Sequence, residues 1–127
     1  MQKLTKEWVF KAEEDFESAN LLMYSGETPI SDYVCFHCQQ CAEKYLKAYL
    51  QEHQMKFERK HDLSPLLEAC VAKDDAFEKL NDDIRELDRY AVMVRYPGIV
   101  LNEDTAKLAL KQAKHVRSFI RKKLKIK

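Results

Sequence analysis

The stretch VCFHCQQCAEKYLKAYL, residues 34–50, has apolar residues at the spacing of an amphipathic helix along its whole length. Apolar side chains that recur every three or four positions fall on one face of an α-helix. Upstream, Thr28 can cap this helix, and Pro29 can occupy its first position, where a proline loses no hydrogen bond. The pattern continues to about His53, so it predicts a helix of about 24 residues and about 36 Å, the longest in the chain.

Three of the four cysteines lie in this stretch, and they raise the alternatives of a metal site, a redox pair or core packing. A structural zinc site needs ligands from a second segment, and no second CxxC or paired histidine motif occurs. A thioredoxin-like pair would follow a strand, which the sequence does not predict. Free cysteines commonly pack as small apolar groups. We therefore predict that Cys35, Cys38 and Cys41 lie in the core, with no metal, and that His37 is a partly buried polar residue.

The rest of the chain also has helical spacing, and no segment alternates as a strand would. A first helix is predicted over about residues 3–25, where Ser25-Gly26 ends it, and another begins near Asp62, which can cap it. A further helix is predicted over about residues 75–94, where RYPG ends it, and Asn102 caps the last helix. Short loops between helices favour antiparallel neighbours. The sequence therefore predicts an all-α fold, an antiparallel up-and-down bundle of four long helices plus one short helix, with residues 1–127 as a single domain.

The composition agrees with a folded domain, because 46% of the residues are hydrophobic, 34% are charged, and only 2 Gly and 3 Pro interrupt the chain. No apolar run is long enough to span a membrane, and the charged start of the chain lacks the apolar segment of a signal peptide. We therefore expect a cytoplasmic protein with reduced thiols and no membrane association.

The formal net charge of +1 conceals an uneven distribution along the chain. Residues 107–127 contain nine Lys or Arg and no acid, whereas residues 1–106 contain thirteen Lys or Arg and twenty-one Asp or Glu. The basic end can attract a polyanion or an acidic partner. The favoured interpretation is simpler: cations near a helix C-terminus complement the helix dipole.

A polar stripe runs beside the apolar face of the longest predicted helix. It consists of Gln40, Glu43, Lys44 and Lys47. Glu43 and Lys47 can form an i,i+4 ion pair, which stabilises a helix by a few tenths of a kcal/mol. The alternative is a polar surface that faces a groove or a second subunit.

Two further clusters contain residue types suited to anion binding. His61 precedes Asp62 at a predicted helix start, where backbone amides favour anions, although a histidine there can simply donate a hydrogen bond. Arg95 can form two parallel bonds to a phosphate, and Tyr96 offers a face on which a base can stack. An arginine at a helix C-terminus can equally bind the carbonyl groups of its own helix. Residue types alone leave these alternatives open.

The segments FHCQQCAEKYLKAYL, HDLSPLL and RYPG, in this order and spacing, resemble the HEPN domain (higher eukaryotes and prokaryotes nucleotide-binding). The resemblance runs from KAEEDFESA near the start of the chain to the last helix. It implies a bundle of four long helices and a short one, usually as a homodimer. Prokaryotic members commonly accompany a separate minimal nucleotidyltransferase in toxin–antitoxin modules, and many HEPN proteins are RNases. No cofactor is implied.

The family pattern is carried over onto three groups of residues: Gln39, Gln40, Glu43 and Lys44; His61 and Asp62; and Arg95, Tyr96 and Pro97. The RNase members of the family contain an Arg followed, after four to six residues, by a His. No arginine of this chain has a histidine at that spacing, so the resemblance argues against catalysis.

The first of three functional hypotheses is a dimeric module that binds a nucleotide or RNA phosphate, docks a nucleotidyltransferase, or does both. In it Arg95 holds the phosphate, Tyr96 stacks, and His61 and Lys44 assist. Four residues, Gln40, Glu43, Lys47 and Asp62, line a polar groove. This hypothesis expects Arg95 and Tyr96 to converge with the polar stripe.

The second hypothesis is a metal-independent ribonuclease toxin, which needs a base near the 2′-hydroxyl and positive charge near the phosphate. His61 is the weak candidate for that base, with His115 as an alternative. The third is a bundle that only dimerises and carries a partner, with the basic C-terminal helix as a docking surface.

Overall fold

The computed structural model describes residues 1–127, which form α-helices, one 3-10 helix and no strand. The helices are α1 (Lys3–Tyr24), α2 (Ser31–Glu52), α3 (Leu63–Lys73), the 3-10 helix (Asp75–Leu80), α4 (Asn81–Asp88), α5 (Tyr90–Met93) and α6 (Glu103–Lys123). The predicted all-α bundle is confirmed. None of the helices combines the length and the apolar character that crossing a membrane requires.

Helix α2 lies at the centre of the bundle, where it packs against α1, α6, α3, α4 and α5. Its three cysteines are fully buried, as is Cys70 on α3. Burial raises the pKa of Cys35 to about 12 and moves the pKa values of Cys38 and Cys41 further from their ordinary range. The prediction that these cysteines pack in the core is therefore confirmed.

The start of α2 was predicted wrongly. The helix begins at Ser31, and neither Thr28 nor Pro29 belongs to it. The amide of Ile30 donates to the carbonyl oxygen of Leu22 on α1 at 3.1 Å, which keeps residue 30 in the turn between the two helices. A contact with the preceding helix thus outweighs the local capping signal.

The region predicted as one helix over residues 75–94 consists of three short elements. The Asp74 side chain accepts from the Ala76 amide at 3.0 Å and begins the 3-10 helix. A second break occurs at Arg89, whose amide bonds to Glu86 three residues back. In contrast, α1 and α6 have nearly the predicted bounds, and Asn102 caps α6 by accepting from Thr105 at 2.8 Å.

Three helices are joined by a polar network around Glu13 of α1. Arg117 of α6 donates to both carboxylate oxygens of Glu13, from Nε at 2.6 Å and from a terminal nitrogen at 2.7 Å. The hydroxyl of Tyr45, a buried residue of α2, also donates to Glu13, and Arg121 of α6 donates to that hydroxyl at 3.1 Å. We call these four residues the Glu13 network.

Candidate functional site

Glu43, Lys47 and His61 form one cluster on the side of α2 that faces the loop before α3. The Nζ atom of Lys47 lies 3.1 Å from Glu43 Oε2, which confirms the predicted i,i+4 pair. His61 Nδ1 lies 3.2 Å from Glu43 Oε1, and Gln39 Nε2 donates to the His61 carbonyl oxygen at 3.1 Å. Because Gln39, Glu43 and Lys47 are four residues apart, one face of α2 holds the end of this loop.

The ion pair in this cluster is buried, whereas its histidine is not. Only 2% of the Glu43 side chain is exposed, and the Lys47 ammonium lies 5.2 Å from the Trp8 ring centroid and 5.8 Å from that of Phe57. The His61 side chain is 63% exposed. The His61 ring is therefore held at Nδ1 by Glu43, while the rest of the imidazole stays open to solvent.

Gln40 and Lys44 do not join this cluster. Lys44 Nζ donates to Asp15 Oδ2 of α1 at 2.6 Å, and the other oxygen of Asp15 lies 2.8 Å from His37 Nδ1. The side-chain amide of Gln40 donates from Nε2 to Gln39 Oε1 at 2.7 Å. The predicted polar stripe therefore divides between two directions, one towards α1 and one towards the loop before α3.

The start of α3 is capped by a residue that the sequence analysis did not identify. Asp62 occupies the cap position, but its side chain makes no capping bond, so that prediction was wrong. The carboxylate of Asp88, from the end of α4, accepts from the Leu63 amide at 2.8 Å and from the Ser64 hydroxyl at 3.3 Å. A carboxylate 25 residues away along the chain thus replaces the neighbouring one.

Arg95 and Tyr96 lie in the loop between α5 and α6, and neither side chain makes a hydrogen bond or an ion pair. Arg95 is exposed, and 59% of the surface of Tyr96 is exposed as well. Gly98 has a φ of +91°, a backbone conformation that favours glycine. At the end of the loop, the Leu101 amide donates to Asp32 Oδ1 of α2 at 2.9 Å. A guanidinium group and a phenol ring are therefore open to solvent on an anchored loop.

The loop of Arg95 and the cluster of His61 are attached to different parts of α2. The first is attached at Asp32 and the second at Glu43, eleven residues further, which is about 16 Å along a helix axis. No hydrogen bond or ion pair connects Arg95 or Tyr96 with His61 or with the polar residues of α2. The expected convergence of Arg95 and Tyr96 with the polar stripe was therefore wrong within one chain, because the two groups are attached to α2 eleven residues apart.

Most of the exposed large apolar side chains lie on the loop of Arg95 or at the element ends near it in the chain or joined to it by the Leu101–Asp32 hydrogen bond. Of the twelve large hydrophobic residues that are exposed, eight lie on the loop, on α5, or where α1 ends and α2 begins. We call them the apolar end: Leu21, Tyr24, Ile30, Tyr33, Val92, Tyr96, Ile99 and Val100. A concentration of exposed apolar side chains is typical of an interaction surface.

Asp15 is the residue of the site that sequence reasoning missed although a signal existed. It lies between Ala12 and Ala19 in the apolar stripe of α1, and it is buried. A carboxylate in an apolar stripe requires a partner, since an unpaired buried charge is costly. The spacing could not identify Lys44 and His37 as those partners, because they belong to another helix.

Comparison with known proteins gives a family and a relative. The model of the HEPN domain family matches residues 5–123. The chain is 32% identical to "Putative toxin MJ1304" of Methanocaldococcus jannaschii over 140 residues, which cover 97% of this chain and 90% of that protein.

Two solved structures are similar in fold. The crystal structure of TT1696 from Thermus thermophilus has a TM-score of 0.84 at 23% identity, covering 96% of this chain and 99% of that one. ST0689, an archaeal HEPN homologue, has a TM-score of 0.75 at 24% identity, covering 97% of this chain and 98% of that one. At such identities the likeness concerns the fold alone.

Proposed function

Since the chain belongs to the HEPN domain family, we propose that it is the HEPN component of a toxin–antitoxin-like pair in the cytoplasm. In this proposal it acts as a homodimer that binds a nucleotide or RNA phosphate through Arg95 and Tyr96 and docks a minimal nucleotidyltransferase. The name of the relative "Putative toxin MJ1304", which is similar over 97% of this chain, supports the toxin-like role.

One observation carries the binding role: Arg95 is an exposed arginine without an internal partner beside an exposed tyrosine. Arg117 and Arg121, by contrast, bind Glu13 and Tyr45 within the chain. A guanidinium can form two parallel charge-assisted bonds to a phosphate, and a tyrosine ring can stack on a base. The loop thus offers one binding group for the phosphate and one for the base of a nucleotide, and neither group has to give up an internal hydrogen bond or ion pair.

The apolar end supports the dimer. Its eight side chains lie on the loop of Arg95, on α5 and where α1 ends and α2 begins, and Val100 is 85% exposed. Covering such side chains with a second copy removes them from water, at roughly 25 cal/mol per Å² of apolar area. A second chain on this face would place two copies of Arg95 near one interface, where one phosphate-bearing ligand can contact both subunits. Light scattering of the wild type and of Val100→Asp tests this arrangement, with the variant expected to be monomeric.

Calorimetric titration of the purified protein with ATP and with a short single-stranded RNA tests the binding role. Removing the Arg95 guanidinium by Arg95→Ala is expected to weaken binding at least about tenfold, because one charge-assisted pair contributes about 1.5–3 kcal/mol. Arg85→Ala is the matched control, since Arg85 is also exposed. Its one ion pair, with Asp82 at 3.9 Å, is a long surface pair that contributes little. Equal affinities for wild type and Arg95→Ala would contradict the assignment.

A second candidate function, a metal-independent ribonuclease, is favoured by the pair of Glu43 and His61. It requires the exposed imidazole to act as the base, with cationic side chains from the loop or a second subunit at the phosphate. The test is RNA cleavage in the presence of a chelator. Activity that survives in His53→Ala but is lost in His61→Ala would replace the binding proposal, whereas no cleavage by the wild type would exclude this candidate.

A further inference from the structure

Helix α6 carries two sets of cations that differ in their partners. The inner set pairs with carboxylates of other elements: Arg117 and Arg121 with Glu13, and Lys123 with Asp74 at 2.6 Å. The outer set is exposed, and only Lys107 has a carboxylate nearby, the equally exposed Glu103 at 3.6 Å. We call this outer set the lysine ridge: Lys107, Lys111, Lys114 and Lys122.

The lysine ridge is straight and faces away from the bundle. At 100° per residue its four positions fall within a sector of about 80°, and Lys107 and Lys122 are about 22 Å apart along the axis. The buried side chains of the same helix centre on the opposite direction: Ala109, Ala113, Val116 and Ile120. The ridge is therefore a line of cations along the solvent side of α6.

The helix dipole does not account for most of the ridge. Its favourable effect on cations is confined to the last turn of a helix. Lys107, Lys111 and Lys114 all lie before that turn, and Lys107 is in the second turn from the N-terminus. The simpler explanation of the basic end applies to Lys122 and Lys123 but not to Lys107, Lys111 and Lys114, of which only Lys107 has an ion pair, the exposed one with Glu103.

The charge of the remaining chain makes the ridge distinctive. Residues 1–106 carry thirteen cations and twenty-one anions, a net charge of −8, while residues 107–127 carry +9. An anionic partner is repelled by the body of the protein and attracted by α6, so that long-range attraction orients it towards this helix.

We propose that the lysine ridge binds the backbone of single-stranded RNA. Protein–protein interfaces are depleted in lysine and need apolar residues at their centre, whereas protein–nucleic acid interfaces are polar and positively charged. The ridge has four lysines, and the one large apolar residue of α6 that is exposed is Leu108. Three of the four lysines, Lys111, Lys114 and Lys122, have no carboxylate partner, and such cations match a chain of phosphates better than they match an acidic protein surface.

This inference adds to the proposed function a surface that is separate from Arg95. Helix α6 begins directly after the loop that contains Arg95, and Lys107 lies in the second turn of the helix. RNA held along the ridge would thus lead towards the loop, and the ridge would supply affinity without selecting a sequence.

The test is fluorescence anisotropy with a labelled oligouridylate of about 20 nucleotides, titrated between about 50 and 200 mM salt. Each phosphate contact with single-stranded nucleic acid contributes about −0.7 to the slope of log K against log salt. The variant Lys111→Gln/Lys114→Gln/Lys122→Gln is expected to reduce the steepness of this slope by about 2 and to lower affinity at least about tenfold at the lowest salt.

The matched control is Lys3→Gln/Lys73→Gln/Lys79→Gln, which removes the same charge from exposed lysines that make no ion pair. Its slope should stay near that of the wild type. An equal loss of affinity in both variants would show that binding depends on the overall charge and not on the ridge, which would overturn the inference. So would an unchanged slope in the ridge variant, or no binding by the wild type at low salt.

Three further measurements separate the alternatives. Polyglutamate of similar length competes weakly if the partner is RNA; competition as strong as that of unlabelled RNA would assign the ridge to an acidic protein instead. The titration of Arg95→Ala with ATP depends on the loop alone, so failure of the ridge and failure of the loop are distinguishable. Melting curves of the ridge variant should match those of the wild type, because the side chains of its three lysines make no hydrogen bond or ion pair within the chain.

Discussion

Arg117 and Arg95 show how the same side chain is used in two regions of one molecule. Arg117 lies in the Glu13 network, where its guanidinium donates twice to Glu13 and packs 4.7 Å from the centroid of the Phe16 ring. Arg95 lies on an exposed loop and has no side-chain partner. An arginine that is paired internally must give up those bonds to bind a ligand, whereas an unpaired one gives up only water.

The two regions also differ in how burial affects their chemistry. The Tyr45 hydroxyl is buried in the Glu13 network, and desolvation raises the pKa of Tyr45 above its ordinary range. A buried hydroxyl without an acceptor is costly, so Glu13 is needed to satisfy it. Tyr96 is exposed and needs no partner within the chain. We therefore expect substitutions in the network to affect stability and substitutions in the loop to affect binding.

The largest expected effect is that of Glu13→Ala. Removing the carboxylate leaves the Tyr45 hydroxyl without its acceptor and Arg117 without its partner, so the free energy of unfolding should fall by about 2–3 kcal/mol. The melting temperature should fall by roughly 10 °C. Glu14→Ala, one residue along on the exposed side of α1, is the control and should change little. Equal stability of the two variants would remove the distinction between the network and an ordinary surface.

A smaller effect is expected from pH. Burial raises the pKa of Glu13, but the hydrogen bonds from Arg117 and Tyr45 outweigh it, so the pKa lies below its ordinary value of 4.5. Because the folded pKa is lowered, this stabilisation is present above pH 4.5 and is lost as the pH falls through the folded value. Urea unfolding at a series of pH values should show wild type and Glu13→Gln converging in acid. A constant difference between them would contradict the pairing.

The smallest effect on stability is expected for Arg95→Ala. Its side chain makes no internal bond, so the free energy of unfolding should stay within about 0.5 kcal/mol of the wild type. The same variant is expected to lose ligand affinity, which is the reverse of the result expected for Glu13→Ala. Urea denaturation and ligand titration of both variants sharpen the comparison. A large loss of stability in Arg95→Ala would place Arg95 in the fold instead of the binding surface.

Local patterns predicted most of the fold, because helices depend on neighbouring residues. The apolar spacing of α1, α2 and α6 was sufficient for an all-helical bundle, and Asn102 caps α6 through a bond only three residues long. The core position of the cysteines followed from their place on the apolar face of α2. The pair of Glu43 and Lys47 was also predictable, since its two members are one turn apart.

Other features depended on contacts between elements that are distant in sequence. Ile30 is held by Leu22, α3 is capped by Asp88, Lys44 binds Asp15, and Leu101 is anchored by Asp32. Thr28 and Asp62 are residue types preferred at helix caps, but one cap contributes only about 1 kcal/mol, which is comparable to a single tertiary hydrogen bond.

The sequence by itself therefore determined the three long helices α1, α2 and α6, the core and the segregation of charge onto α6. Only the tertiary structure decided which polar side chains form hydrogen bonds or ion pairs within the chain and which remain exposed and unpaired. The physical reason is that apolar burial follows a local period along the chain, whereas the partner of a charged side chain is set by where another helix brings its own. The carboxylate of Glu13 accepts hydrogen bonds from Arg117 of α6, whereas the guanidinium of Arg95 has no partner within the chain. The neighbouring residues in the sequence predict neither outcome.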